Sequence, residues 1–171
     1  MEEIKTLIHQ WALDLGFQAV GYSNLDLSEH EDYLNTWLTN GFHGSMAYMN
    51  RNQALRISPS HLLAGSISAI TLRLDYLPEG EHQRIRKTLE SKDTAYISRY
   101  ALGRDYHKVI RNKLKRLANQ INDYINLQKL GPFYARACTD SAPILEKHLA
   151  EKSGLGWIGK NTLLLNRSAG S

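Results

Sequence analysis

Cysteine is nearly absent from this chain: Cys138 is the single one in 171 residues. That scarcity excludes an internal disulfide framework and any four-cysteine zinc or iron–sulfur site built from this chain alone. A redox cofactor would have to be held by other means. Histidine is more frequent, with seven residues, but none stands in a His-x-His or His-Glu-x-x-His pattern and no carboxylate cluster accompanies them. A protein-ligated metal is therefore not expected. Apolar runs of about 18 residues are missing too. The opening "MEEIKTLIHQWALDLGF" carries acidic residues where a secretory leader carries basic ones. The expectation is a soluble, cytoplasmic protein with no membrane partner. Internal repeats, low-complexity tracts and interdomain linkers are likewise lacking.

What is present suits one globular domain, since a chain of this size hides roughly 70% of its unfolded surface. The net charge of +4 and the pI near 9.2 are mildly basic and lean toward a polyanionic partner without requiring one.

Helical and strand periods alternate along the chain. Ile4, Leu7, Ile8, Trp11, Ala12 and Leu15 recur at three and four, marking an amphipathic helix closed by Gly16. "FQAVGYS" reads as a strand, and "LSEHEDYLNTWLTNG" as a helix with Ser28 at its N-cap and Gly41 at its end. "FHGSMAYMNRNQALRISPSHLLAG" has no clean period and reads as a long connection with short helical turns, a candidate wall for a site. "SISAITLRLDY" is β-branched and closes at Pro78-Glu79-Gly80, while "HQRIRKTLESKD" is open between helix and loop. Ile110, Leu114, Leu117, Ile121 and Ile125 define one face of the longest helix, Lys108 to Leu127. "GPFYARACT" reads as a strand, "PILEKHLAEKSG" as a helix with Pro143 near its first turn, and "NTLLLN" as a last strand. The expectation is a mixed α/β or α+β layered domain.

Three segments carry candidate chemistry. "GLGWIGKN", Gly154 to Asn161, satisfies G-x-G-x-x-G and nearly satisfies G-x-x-x-x-G-K-[ST]. Both phosphate motifs need a strand before the glycines and a helix after them. Here a helix precedes and a strand follows, so the backbone groups exposed at the junction are carbonyls, which repel phosphate. Two readings remain: a connector whose glycines supply positive φ with Trp157 and Ile158 plugging the core, or a surface where a planar ligand lies on bare backbone with Lys160 and Asn161 as donors. In "RACTDSAP", Asp140 or Ser141 caps the next helix, or Asp140 acts as a general acid at a strand's end. "YISRYALGRDYHKVIR" interleaves Tyr96, Arg99, Tyr100, Arg104, Tyr106, His107, Lys108 and Arg111. That mixture suits stacking on bases, gripping phosphates or embracing a large cofactor, and equally an ordinary basic helix start.

Taken together, "GFHGSMAYM" with "RNQALRISP", then "SRYALGRDYHKVIRNKL", then "CTDSAPILEKHLAEKSGLGWIGKNTLLL", in this order and spacing, resemble epoxyqueuosine reductase. The resemblance spans nearly the whole chain, 1–171, and corresponds to the N-terminal cobalamin-binding part of that family. It implies a nitroreductase-like fold, a central sheet flanked by helices, and reduction of epoxyqueuosine to queuosine at the tRNA wobble position. The family's proton donor, the aspartate of its C-x-D-[ST]-A-P motif, falls on Asp140. The same resemblance implies cobalamin contacts at Trp157, Gly159, Lys160 and Asn161, and further contacts to cofactor or tRNA at Arg56, Tyr106 and His107. Partners implied are a modified tRNA and an electron donor, with the protein a monomer. The family's ferredoxin-like module with two 4Fe-4S clusters and its helical repeats have no counterpart here. The chain is therefore expected to be a fragment that does not turn over tRNA alone. The rival expectation is a non-catalytic module binding RNA or a tetrapyrrole-like ligand.

Overall fold

A computed structural model describes residues 2–77 and 80–168. In chain order the elements are α1 (Glu2–Asp14), β1 (Ala19–Ser23), α2 (Glu31–Thr39), α3 (Gln53–Ile57), β2 (Ala69–Arg73), α4 (Glu81–Glu90), α5 (Tyr106–Leu127), α6 (Glu146–Lys152), β3 (Trp157–Ile158) and β4 (Leu164–Leu165). The fold is α+β. β1 and β2 pair antiparallel, Val20 opposite Leu72 and Tyr22 opposite Ile70, and β3 pairs with β4 as a short hairpin.

Side-chain alternation on the strands explains how helices come to lie on both faces of β1–β2. Val20, Tyr22, Ile70 and Leu72 turn toward a core made by Ile8 and Ala12 of α1, Leu15, Phe17, and Leu117 and Ile121 of α5. Phe17 and Ala12 are almost fully buried there. Gly21 and Thr71 turn the opposite way, onto the end of α6. A Cβ on Gly21 would stand 2.5 Å from Ser153 Oγ, so only glycine lets α6 seat this closely. The Thr71 and Ser153 hydroxyls, 2.5 Å apart, then tie the layers together. On the first face, Lys113 of α5 donates from Nζ to the Leu15 carbonyl at 2.6 Å, satisfying an acceptor beyond the end of α1. A second cluster, Leu34, Leu38 and Ile57 with Trp37, Met49 and Leu145, joins α2 and α3 to the segment entering α6.

Several local expectations change. Residues 131–138 adopt no regular secondary structure and pair with no strand among the described residues. Phe133 packs against the main core while Tyr134 is exposed. Strand propensity is mostly packing on a pleated surface, and no edge lies alongside to receive this segment. Ser28 does not cap α2. It opens a 3-10 turn, Ser28–His30, with its amide and hydroxyl both donating to the Asp26 carboxylate at 3.0 and 2.7 Å. Pro143 lies ahead of α6 rather than in its first turn. The open segment 82–93 is largely helical, as α4. The Pro78-Glu79 part of the expected turn lies outside the described residues. Among the described residues no helix is long and apolar enough to cross a membrane.

Candidate active site

The site begins with the capping of α5. Asp105 is its N-cap, accepting from the His107 amide at 3.0 Å, and the same carboxylate oxygen meets His107 Nδ1 at 2.9 Å. The His107 contact, first among several, holds the Asp105 carboxyl below its ordinary range. One turn of helix start thereby fixes two neighbouring rings. Tyr106 and His107 stack with centroids 4.0 Å apart and planes 28° from parallel, and Tyr100 meets Tyr106 edge-on.

Both rings point at Asp140. The Tyr106 hydroxyl donates to Asp140 Oδ2, and His107 Nε2 lies 3.8 Å from the same oxygen. The hydrogen bond to Asp140, ahead of burial, pushes the Tyr106 phenol up to about 12. Asp140 itself sits in the left-handed region, φ 51, which a non-glycine residue occupies at a cost of roughly 1–3 kcal/mol. Its loop is pinned on either side: Ser141 N donates to the Thr139 carbonyl at 2.6 Å, and Arg111 of α5 donates to Ser141 Oγ at 2.8 Å. The helix-capping reading of Asp140 and Ser141 is thus overturned, because α6 starts at Glu146 after Leu145 and carries no side-chain cap. The irregular approach through 131–138 and the bends at 139–144 keep both residues ahead of that helix end.

Behind the aspartate lies Glu146, whose Oε1 is buried without a partner. Burial pushes its carboxyl up, with the Asp140 backbone amide opposing and the Asp140 charge adding to the rise. Burial also raises the Cys138 thiol, so it stays protonated near neutrality.

Facing Asp140 across a cleft of about 280 Å³ is the irregular segment between α2 and β2, which contributes Tyr48, Arg51, Asn52 and Arg56. This is the long connection expected to wall a site. Arg56 is 9% exposed. Its Nη2 donates to the Tyr48 carbonyl at 3.4 Å, its Nε has no partner, and no carboxylate pairs with it among the described residues.

Of the residues singled out from sequence, the fold therefore brings Arg56, Tyr106 and His107 around Asp140. Trp157, Gly159, Lys160 and Asn161 form a separate hairpin and do not line that cleft. Gly154 ends α6 with φ 81, and Leu155 N donates back to the Ala150 carbonyl at 3.0 Å, the helix-end geometry that excludes a phosphate loop. The other two glycines serve close approach, not positive φ. A Cβ on Gly156 would lie 2.1 Å from the Leu165 carbonyl oxygen, and one on Gly159 would lie 2.7 Å from Leu165 Cδ1. Trp157 is not a core plug, being 45% exposed. Asn161 turns its oxygen inward to accept from Leu163 N at 3.2 Å, leaving its amide nitrogen and Lys160 outward. Two residues of α6 hold the hairpin: Glu151 Oε1 accepts from Ile158 N at 2.8 Å, and Lys147 donates to the Thr162 carbonyl. The site is connected through this helix, since Glu146 at its start lies against the Asp140 loop.

Sequence reasoning missed Asp105, Glu146 and Arg51. Asp105 had a legible signal, an N-cap residue directly before a helical period. Glu146 and Arg51 had none, because their significance is burial and position across a cleft.

The family model "Epoxyqueuosine reductase QueG, DUF1730" matches residues 56–141. Epoxyqueuosine reductase of Pseudomonas aeruginosa is 51% identical over 164 residues, covering 96% of this chain and 44% of that protein. The Escherichia coli protein of that name is 47% identical over 171 residues, covering 100% and 43%. Among solved structures, epoxyqueuosine reductase from Streptococcus thermophilus superposes with a TM-score of 0.75 at 25% identity, over 98% of this chain and 43% of that one. A crystal structure of epoxyqueuosine reductase with an epoxyqueuosine-modified tRNA-Tyr stem loop shares the fold, with a TM-score of 0.76 at 20% identity over 99% and 43%. The chain thus spans less than half the length of these relatives.

Proposed function

The chain belongs to the epoxyqueuosine reductase family, and from that premise we propose that residues 1–171 are the cobalamin-binding, acid-bearing domain of an enzyme reducing epoxyqueuosine to queuosine in tRNA. The observation that carries this reading is the convergence of Tyr106 and His107, set by the Asp105 cap, on the strained Asp140. Removing an epoxide oxygen as water takes two electrons and two protons, and the proton steps are what these side chains can supply.

Asp140 delivers a proton to the epoxide oxygen as the carbon–oxygen bond breaks. The Tyr106 hydroxyl orients the carboxyl by donating to its Oδ2. His107, anchored at Nδ1 by Asp105, stands next in line to return a proton to Asp140. The residues present suit a corrin rimmed with amides: exposed Trp157 offers a flat apolar face and Lys160 and Asn161 offer donors, while Arg56, buried with an unpartnered Nε in the Asp140 cleft, faces the cofactor or the RNA. Cobalamin, when bound, supplies reducing equivalents to the epoxide carbon. Gly159, beside Lys160, leaves room for Leu165 to pack against the hairpin.

The test is a cobalamin titration followed by visible absorption, with the unaltered chain beside Asp140→Asn. Both are expected to bind alike. In the full-length enzyme, Asp140→Asn is expected to lose epoxyqueuosine reduction while retaining cofactor. No spectral change at high cofactor concentration overturns the cofactor site, and full activity of Asp140→Asn overturns the acid assignment.

A further inference from the structure

A guanidinium taken out of water without a counter-charge is among the costlier arrangements in a fold, and it persists where something else supplies the anion. Arg56 is such a group. It is 9% exposed, has one long hydrogen bond to a carbonyl, and has no carboxylate within ion-pair reach among the described residues. It lines the cleft that Asp140 faces, together with Arg51 and Asn52 on its own side and Ser141 opposite. Of the five donors on its planar fork, nearly all are uncommitted. A fork of this kind matches the paired oxygens of a phosphate.

We propose that Arg56 and Arg51 form a subsite for a single phosphodiester, which the buried, unpaired Arg56 guanidinium engages at the mouth of the Asp140 cleft. The cleft, about 280 Å³ and open to solvent, admits a phosphate with its ester arms. Arg51, exposed and with no hydrogen bond or ion pair among the described residues, lines the same cleft and can close on the outer oxygens. Asp140 lines the opposite wall of the same cleft. Two molecules in the proposed function carry a phosphodiester: the RNA strand beside the reacting nucleotide, and the nucleotide tail of cobalamin. Naming these two sources rests on that reading; the anion site itself does not.

The first measurement is thermal unfolding of the 171-residue chain with inorganic phosphate against chloride at matched ionic strength. Phosphate is expected to raise the melting temperature of the unaltered chain, of Arg56→Lys to a smaller degree, and of Arg56→Met not at all. Without phosphate, Arg56→Met is expected to melt at or above the unaltered chain, since it removes an uncompensated charge. If instead it melts well below, or if phosphate stabilises both alike, Arg56 is a structural residue and the proposal is wrong.

The second measurement separates the sources. A tenfold or greater loss of cobalamin affinity in Arg56→Met, with binding of cobinamide unchanged, assigns the cofactor's tail, because cobinamide lacks the phosphodiester. A similar loss for a tRNA stem loop, with the salt slope falling by about 0.7 per lost phosphate contact, assigns the RNA. Unchanged affinity for both ligands in folded Arg56→Met refutes the subsite. Failure of the unaltered chain to bind either ligand would count against the proposed function, and the phosphate melts would still decide the anion site.

Discussion

Replacing Tyr106 by Phe removes one oxygen and leaves the ring stacked on His107, so it isolates the hydrogen bond to Asp140. The phenol rises from 10.0 to about 12, and two units correspond to about 2.7 kcal/mol at 1.36 kcal/mol per unit. That is an upper bound, because the pair is open to water: the Asp140 side chain is 56% exposed, and screening brings the effect nearer to about 1 kcal/mol. The sign follows from the upward shift. Folding favours the protonated phenol, so the contribution is fully present below pH 10 and is lost as pH rises through about 12. Urea unfolding at pH 7 is expected to place Tyr106→Phe about 1 kcal/mol below the unaltered chain, with the gap narrowing as pH passes 10. In an alkaline absorbance titration, one of the late-ionising tyrosines should be missing from the variant; Tyr22 and Tyr124, also raised, remain as internal references. Equal stability at pH 7 together with an unchanged late-titrating population would refute the Tyr106–Asp140 bond, and with it the orientation assigned to the acid.

Two other outcomes follow from the geometry. Gly156→Ala places a methyl 2.1 Å from a backbone oxygen that cannot rotate away, so the hairpin must part. The expected cost is about 1–3 kcal/mol, read as a lower melting temperature and altered Trp157 fluorescence, and an unaltered melt would contradict the close approach. Glu146→Gln relieves a buried carboxylate whose folded pKa lies above its unfolded value. The unaltered chain therefore loses stability as pH rises through that raised value, and the variant should lead at pH 7 and draw level below about pH 4. A variant that is less stable at pH 7 than at pH 4, relative to the unaltered chain, would show that the carboxylate is satisfied in a way the burial argument misses.

Local periodicity carried much of the fold. The three-and-four spacing of Ile4 to Leu15 and of Ile110 to Ile125 forecast α1 and α5, and the β-branched run around Ile70 forecast β2, since these patterns reflect which side of one element meets the core. "GPFYARACT" has an equally strand-like composition and is not a strand, because a ladder needs a second edge in the right place. The candidate site divides in the same way. Asp140 was visible as a residue type in a specific motif, yet capping and acid catalysis could not be separated until its distance from the α6 start was known.

By itself, then, the sequence determined α1, α5 and β2, the family, and the exclusion of disulfides and of phosphate loops at "GLGWIGKN", because each depends on residue identity and near-neighbour order. Tertiary structure alone decided that Arg56 lies buried and unpaired in the same cleft as an aspartate 84 positions away. It also decided that Gly156 and Gly159 make room for Leu165 and that Glu146 is desolvated. Burial and charge pairing are properties of what surrounds a side chain, and that surrounding comes from residues far off along the chain.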